Sequence, residues 1–307
     1  MRVSTAPVRV VAQPRVRRSG RVSSKSAQAN ADMMSEVGTQ VLSEKQLPAE
    51  RYIACNRFKV QDNKGPKFEQ RWANRKSRLA ELDGFRFFTL LRRVDDDPAL
   101  RGELDADMMS LTVWSDKKAF DAWRTGEAFK EAHGGGSLFG FADMIISSLR
   151  ILKGGPKPAF FDGLLPIVNM PEAVPEAVGG WREVDADGVK ALDADCFVAM
   201  NRFEVTDNEA FEKRWSERKS ELLEFDGFKS FFLLRRDAVA ADDGFGYSTL
   251  TIWRDRESFQ KWRESQSFNK SHGQKKPEGA GGPPPFKTPP SPAFWEGILM
   301  LESPEGA

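Results

Sequence analysis

The chain has 307 residues, a formal net charge of +1 and 30% charged residues, so no strong overall field directs it to nucleic acid or to an anionic membrane surface. No stretch approaches the ~18–20 consecutive apolar residues of a spanning helix. Two cysteines, Cys55 and Cys196, do not make a disulfide framework and read as reduced, buried small side chains.

The first 31 residues carry Arg2, Arg9, Arg15, Arg17, Arg18, Arg21 and Lys25 and no acid, among Ser, Ala and Val. An acid-free, Arg- and Ser-rich start predicts an organelle transit peptide over residues 1–45, addressed to the chloroplast rather than the mitochondrion. A disordered basic tail with no address is the alternative. The fold is expected to begin near residue 50.

"YIACNRFKV" alternates and predicts a strand. Residues 66–81 bring Phe68, Trp72 and Leu79 near helical spacing, and Asp83-Gly84 stops that helix. "FRFFTLLRR" and "MMSLTVW" predict the second and third strands. Asp116, with Ser115, is a candidate N-cap for a helix carrying Phe120 and Trp123. Thr125-Gly126 interrupts it, and a short helical piece follows that carries His133. An insert with an apolar centre, residues 138–152, could form a helix of its own. "AFFDGLLPI" predicts the fourth strand, and 169–194 reads as a Pro- and Glu-rich linker. The doubled arginines Arg92-Arg93 and Arg235-Arg236 read as solvated strand ends.

The second half repeats the first. "NRFKVQDNKGPKFEQRW" answers "NRFEVTDNEAFEKRW", "LTVWSDKKAFDAW" answers "LTIWRDRESFQKW", and "PAFFDG" answers "PAFWEG". The units are 50–168 and 195–302, a duplication of one domain rather than a short-period solenoid. The order β-α-β-β-α-β is the ferredoxin-like α+β unit. Helices cover one face of each sheet and the other must also be buried. Two such units in one chain predict an intramolecular dimeric α/β barrel within a monomer. Trp72, Trp114, Trp215 and Trp253 are duplicated too and read as packing.

The chain holds two histidines, and each lies ten residues after a tryptophan at the same point of its repeat: Trp123 and His133, Trp262 and His272. Asn56 and Asn201 occupy matched positions inside strands, where Asn is disfavoured. A polar residue facing a core needs a partner, which favours a site there. An Asn on the first strand, a Trp on the helix after the third strand and a His ten residues on resemble the IsdG-type heme-degrading monooxygenases of the antibiotic biosynthesis monooxygenase superfamily.

That resemblance implies that His133 and His272 ligate heme iron through a neutral imidazole. It implies that Asn56 and Asn201 donate a hydrogen bond to dioxygen on the other face. It implies that Trp123 and Trp262 press on the porphyrin and ruffle it. Heme would be both cofactor and substrate. O2 and an external electron donor, a small reductant or a redox protein, would enter; iron and a linear tetrapyrrole would leave. The chain departs from the family after the histidines, with Gly134-Gly135-Gly136 in one copy and Gly273 in the other, which loosens the backbone there. The unequal loops that follow, one apolar and one rich in Pro and Gly, favour the C-terminal copy as the working one. The alternatives are a heme carrier without turnover, or a heme-independent monooxygenase of the same superfamily.

Overall fold

The computed structural model describes residues 43–75, 77–95, 102, 105–132, 150–169, 184–238, 241–265 and 284–307. The first half contributes β1 (Arg51–Phe58), α1 (Gly65–Ala73), β2 (Phe85–Arg93), β3 (Met108–Trp114), α2 (Lys117–Thr125), α3 (Glu127–Ala132) and β4 (Lys157–Val168). The second contributes β5 (Cys196–Phe203), α4 (Asn208–Ser216), β6 (Phe228–Arg236), β7 (Tyr247–Trp253), α5 (Arg256–Arg263) and β8 (Ser291–Glu302). The eight strands close into one antiparallel barrel in the order β1-β3-β2-β8-β5-β7-β6-β4. This is the α+β duplicated ferredoxin-like barrel that the repeat predicts.

Closure depends on the long fourth strand of each unit. Residues 157–163 of β4 pair with β1 of their own repeat, while the strand also pairs with β6 of the other repeat as far as Val168. β8 does the same between β5 and β2. A register shift marks each crossing, at Leu164/Ile167 and opposite Phe88/Leu90, and Leu165 and Leu299 there take φ values of 50° and 55°. A bulge bends a strand, and a bend is needed to carry one strand across two sheets.

Alternation along the strands divides the core. Ile53, Leu111, Val113, Val198, Leu250 and Ile252 point into the barrel and form one cluster with residues of both repeats. Tyr52, Phe58, Phe88 and Trp114 point outward beneath α1 and α2, with their counterparts Phe197, Phe203, Phe231 and Trp253 beneath α4 and α5. Both faces of β3 and β7 are therefore buried along their whole length. Burying each large apolar side chain contributes roughly 1.5–3 kcal/mol.

The same alternation overturns the reading of the doubled arginines as solvated ends. Arg92 points outward and pairs with Glu69 of α1 at 2.8 Å and with Glu296 of the other repeat at 2.6 Å. Arg93 points inward and its side chain is only 1% exposed. Arg235 and Arg236 repeat the arrangement: Arg235 reaches Glu212 and Asp162, and Arg236 faces the interior with Asp242. Adjacent residues on a strand must face opposite sides, so each pair serves two buried layers at once.

The chain before each repeat docks on the other. Leu47, which precedes β1, donates its N–H to Glu212 of α4; Leu192, which precedes β5, donates its N–H to Glu69 of α1. The first helix is shorter than predicted. It ends at Ala73, and a 3-10 turn at Leu79–Glu81 takes up the remaining apolar spacing. The Ser77 hydroxyl accepts from the Leu79 N–H, and Ser220 does the same for Leu222. A serine that satisfies a backbone N–H locally competes with helix continuation. Gly84 and Gly227 then turn the chain at φ 79° and 80°.

No described helix is long and apolar enough to cross a membrane. Both cysteines are free and buried, as expected. The N-terminal segment 1–42, the apolar insert up to residue 149 and most of the linker lie outside the described residues.

Candidate active site

β1 carries Asn56 outward, on the helix side of the sheet, because Tyr52, Ala54 and Phe58 share that parity. Its ladder neighbours are Ser110 on β3 and Pro158 on β4. Asn201 on β5 has Thr249 and Pro292 in the same places. The prolines stand at the start of β4 and β8, where a missing backbone donor is tolerated. The hydroxyls of Thr112 and Thr251, two residues along on the same face, are spent on the carbonyls of Ala54 and Ala199 at 3.2 Å.

The carboxamides of Asn56 and Asn201 are not spent: neither has a hydrogen-bond partner among the described residues. Asn56 is half-buried, whereas Asn201 is exposed. Each is a donor and acceptor left open on the side of the sheet that the helices cover.

α2 and α5 place the tryptophans. The Asp116 side chain accepts from the Ala119 N–H at 2.8 Å and Asp255 from Ser258 at 2.7 Å, so both helices start from the predicted kind of cap. Trp123 is half-buried and stacks on the fully buried Trp114, with ring centroids 5.4 Å apart and planes 30° apart. Phe129 of α3 meets it edge-on at 5.0 Å. Trp262 lies on Trp253 at 5.4 Å and 34°. The buried indoles form a floor, so an open edge of Trp123 or Trp262 cannot sink inward without displacing a tryptophan. The packing roles of Trp114 and Trp253 follow from their 0% exposure. Trp72 and Trp215 stack on Phe88 and Phe231 under stacked Arg75 and Arg218.

α3 ends at Ala132, one residue before His133. His133 and His272 both lie outside the described residues. The structure thus brings Asn and Trp of each repeat to the same side of the sheet, and says nothing of the histidines.

A partly open cavity lies elsewhere. It is inside the barrel at one mouth, lined by Arg57, Arg93, Arg202 and Arg236 among others. Sequence reasoning missed these residues as a group. The signal was present: Arg57 and Arg202 each follow one of the asparagines, and strand alternation sends an Arg inward wherever the preceding Asn faces outward.

The profile of the family described as antibiotic biosynthesis monooxygenase matches residues 51–135 and 196–274, once in each half. Among solved structures, the chain is similar to a candidate monooxygenase from Fusobacterium nucleatum subsp. nucleatum, at 11% identity and a TM-score of 0.52, over 84% of this chain and 97% of that one. It is also similar to one from Lactobacillus acidophilus, at 9% identity and a TM-score of 0.50, over 84% of this chain and 98% of that one. At such identities the likeness is one of fold.

Proposed function

Because this chain belongs to the antibiotic biosynthesis monooxygenase family, we propose that it is an IsdG-type heme-degrading monooxygenase, for which heme is cofactor and substrate together. The observation that carries the reading is the pair of open carboxamides, Asn56 and Asn201, on the same sheet face as half-buried Trp123 and Trp262. Both amides are accessible and free to meet a bound molecule.

The residues of this pattern would suit a porphyrin. Trp123 and Trp262 offer a flat apolar contact, backed by Trp114 and Trp253 so that it does not yield. His133 and His272 would hold the iron through one imidazole nitrogen, the other nitrogen being oriented by a hydrogen bond. When bound, heme supplies an iron that activates O2 and a ring that is itself oxidised, with electrons from an external reductant. Asn56 and Asn201 would offer a neutral N–H donor to an oxygen species at the heme, without supplying a proton. Trp123 and Trp262 would supply the apolar contact against the porphyrin. The C-terminal copy is the better site on this reading, since Asn201 is exposed where Asn56 is half-buried. The acid-free N-terminal segment supports a chloroplast address.

Hemin titration followed by aerobic incubation with ascorbate tests the proposal. Uptake should shift the Soret band, and turnover should then bleach it and release a linear tetrapyrrole detectable by mass spectrometry. A Soret band that persists under O2 and ascorbate would make the protein a carrier instead. Failure to take up hemin at all would defeat both readings. His272→Ala should cost more hemin binding than His133→Ala, and equal losses would remove the preference for the C-terminal copy.

A further inference from the structure

Tyr52 on β1 is 1% exposed, and its hydroxyl donates to Asp237 Oδ2 at 2.9 Å. Asp237 directly follows β6 of the other repeat and is itself buried. The same oxygen accepts from Lys117 Nζ, in the first turn of α2, at 2.7 Å. The twin positions around the second repeat are Phe197, Val94 and Arg256. There Arg256 lies over the Phe197 ring, 5.7 Å from its centroid. The barrel thus closes at the twin place with a phenyl ring and a valine, so closure does not require the phenol and the carboxylate. Burying a carboxylate costs desolvation, and its presence on one side only calls for a role other than packing.

Aromatic rings join Tyr52 to the candidate active site. Tyr52 is the cross-strand partner of Trp114, on the same face of the sheet. Trp114 stacks on Trp123, with centroids 5.4 Å apart. Phe120 fills the angle between them, 5.2 Å from Tyr52, 6.1 Å from Trp114 and 5.7 Å from Trp123. Trp123 is half-buried, whereas Tyr52 and Trp114 are sealed. Electrons pass between indole and phenol rings in short steps of this kind. Oxidising a phenol makes its O–H strongly acidic, so a base must already hold that proton by a hydrogen bond, as Asp237 does. Burial, and then the charge and hydrogen bond of Asp237, hold the phenol protonated well above its usual range, so the neutral phenol is the starting state. The chain has one other tyrosine, Tyr247. Its acceptor, Glu212, is already engaged by Arg235 and the Leu47 N–H, and its ring meets Phe211 rather than this series.

We propose that Tyr52 is a redox-active residue, the inner end of a relay from Trp123 through Trp114 that delivers an electron to a one-electron oxidant at the candidate site. One electron leaves Tyr52 through Trp114 and Trp123, and the oxidant is reduced by that electron. The phenolic O–H bond breaks, and its proton forms an O–H bond with Asp237 Oδ2. A neutral tyrosyl radical and a protonated carboxyl remain beside Lys117. One electron from an external reductant, with the proton returned by Asp237, restores the pair. The relay quenches oxidant left at the site before it modifies the indole of Trp123. It rests on the function proposed above only for the source of the oxidant, O2 chemistry beside Trp123.

Photochemically generated tris(bipyridine)ruthenium(III), added to the full chain without heme, tests the relay apart from that function. Freeze-quenched samples should show a tyrosyl EPR signal that persists in Tyr247→Phe and is lost in Tyr52→Phe, leaving a tryptophanyl signal. Tyr52→Phe installs the residue found at the twin position, so the barrel should still fold, as its thermal midpoint would show. Trp123→Phe should lower the tyrosyl yield, because a phenyl ring is harder to oxidise than an indole. Asp237→Asn keeps an acceptor but removes the base, and should lower the yield too. Absence of a tyrosyl signal in the folded parent chain overturns the inference, as does a signal of full height in Tyr52→Phe or one carried by Tyr247. Full yield in both Trp123→Phe and Asp237→Asn also overturns it. Failure to take up hemin would defeat the proposed function and leave this result standing.

Discussion

Arg235 and Glu212 are buried together: the Arg235 Nη1 donates to Glu212 Oε1 at 3.0 Å, and both side chains are 1% exposed. The same carboxylate accepts from the Tyr247 hydroxyl at 2.6 Å and from the Leu47 N–H at 2.5 Å. One buried charge pair therefore ties α4, β6, β7 and the chain entering β1. Glu69 and Arg92 hold the equivalent place in the first repeat. Removing one member leaves a guanidinium short of a partner in a dry position. Glu212→Ala should cost about 3 kcal/mol of stability, and Glu69→Ala less, because Arg92 is 23% exposed and keeps Glu296, both read from denaturant midpoints. A loss below about 1 kcal/mol in either would mean that the pair behaves as a surface bridge.

The barrel mouth predicts an acid limb. Burial opposes ionisation of Asp105, but the hydrogen bond and charge of Arg202 outweigh it and hold the carboxyl below its usual range. Burial likewise opposes ionisation of Asp242, and Arg57 and Arg236 outweigh it. A carboxyl whose folded pKa is depressed stabilises fully above its unfolded value, about 4. That contribution is lost as pH falls through the folded value. The thermal midpoint should therefore fall steeply below about pH 4. Asp105→Asn should lower the midpoint at pH near 6 and make the acid limb shallower; an equally steep limb would point to other groups.

Burial pushes both thiols up, to about 12 for Cys55 and for Cys196. Neither is a thiolate near neutral pH, so neither should react with Ellman's reagent in the native protein. Both should titrate on addition of denaturant. A fast native reaction at either would mean that the barrel opens on that timescale.

Gly84 and Gly227 turn the chain into the second strand of each repeat in the left-handed region. A Cβ on Gly84 would also meet the Ser115 Oγ at 2.6 Å, and one on Gly227 the Ser258 Cβ at 2.6 Å. Alanine at either should cost about 2 kcal/mol. The two losses should be similar because the turns are copies, which denaturant unfolding of the two single variants checks.

Under the heme-degrading function proposed above, the two asparagines predict a separation of binding from turnover. Asn201→Ala removes the open amide but leaves Trp262 and its aromatic floor. Hemin affinity should change little, while the rate of Soret bleaching should fall about 100-fold, the usual scale for losing one aimed donor. A parallel loss of affinity and rate would make Asn201 a binding residue only.

The barrel and its halves were legible in the chain because both signals are local and duplicated. Strand alternation, the aspartate caps and the Gly turns repeat in register, and a second copy removes the ambiguity that a short apolar run carries alone. The length of α1 was not legible, since Phe68, Trp72 and Leu79 keep apolar spacing through the break, while the Ser77 hydroxyl bond to Leu79 belongs to the 3-10 turn that follows.

Sequence alone determined the strand order within each repeat, the duplication, and which residue of each Asn-Arg and Arg-Arg pair must face away from its neighbour. Only the tertiary structure decided where those faces lead. Arg57 finds Asp242, Arg202 finds Asp105, and Leu47 finds Glu212 across the two halves. These partners are set by barrel closure, which brings together segments far apart in the chain. A charge in a sequence is solvated or buried according to what closure packs over it, and local spacing carries no record of that.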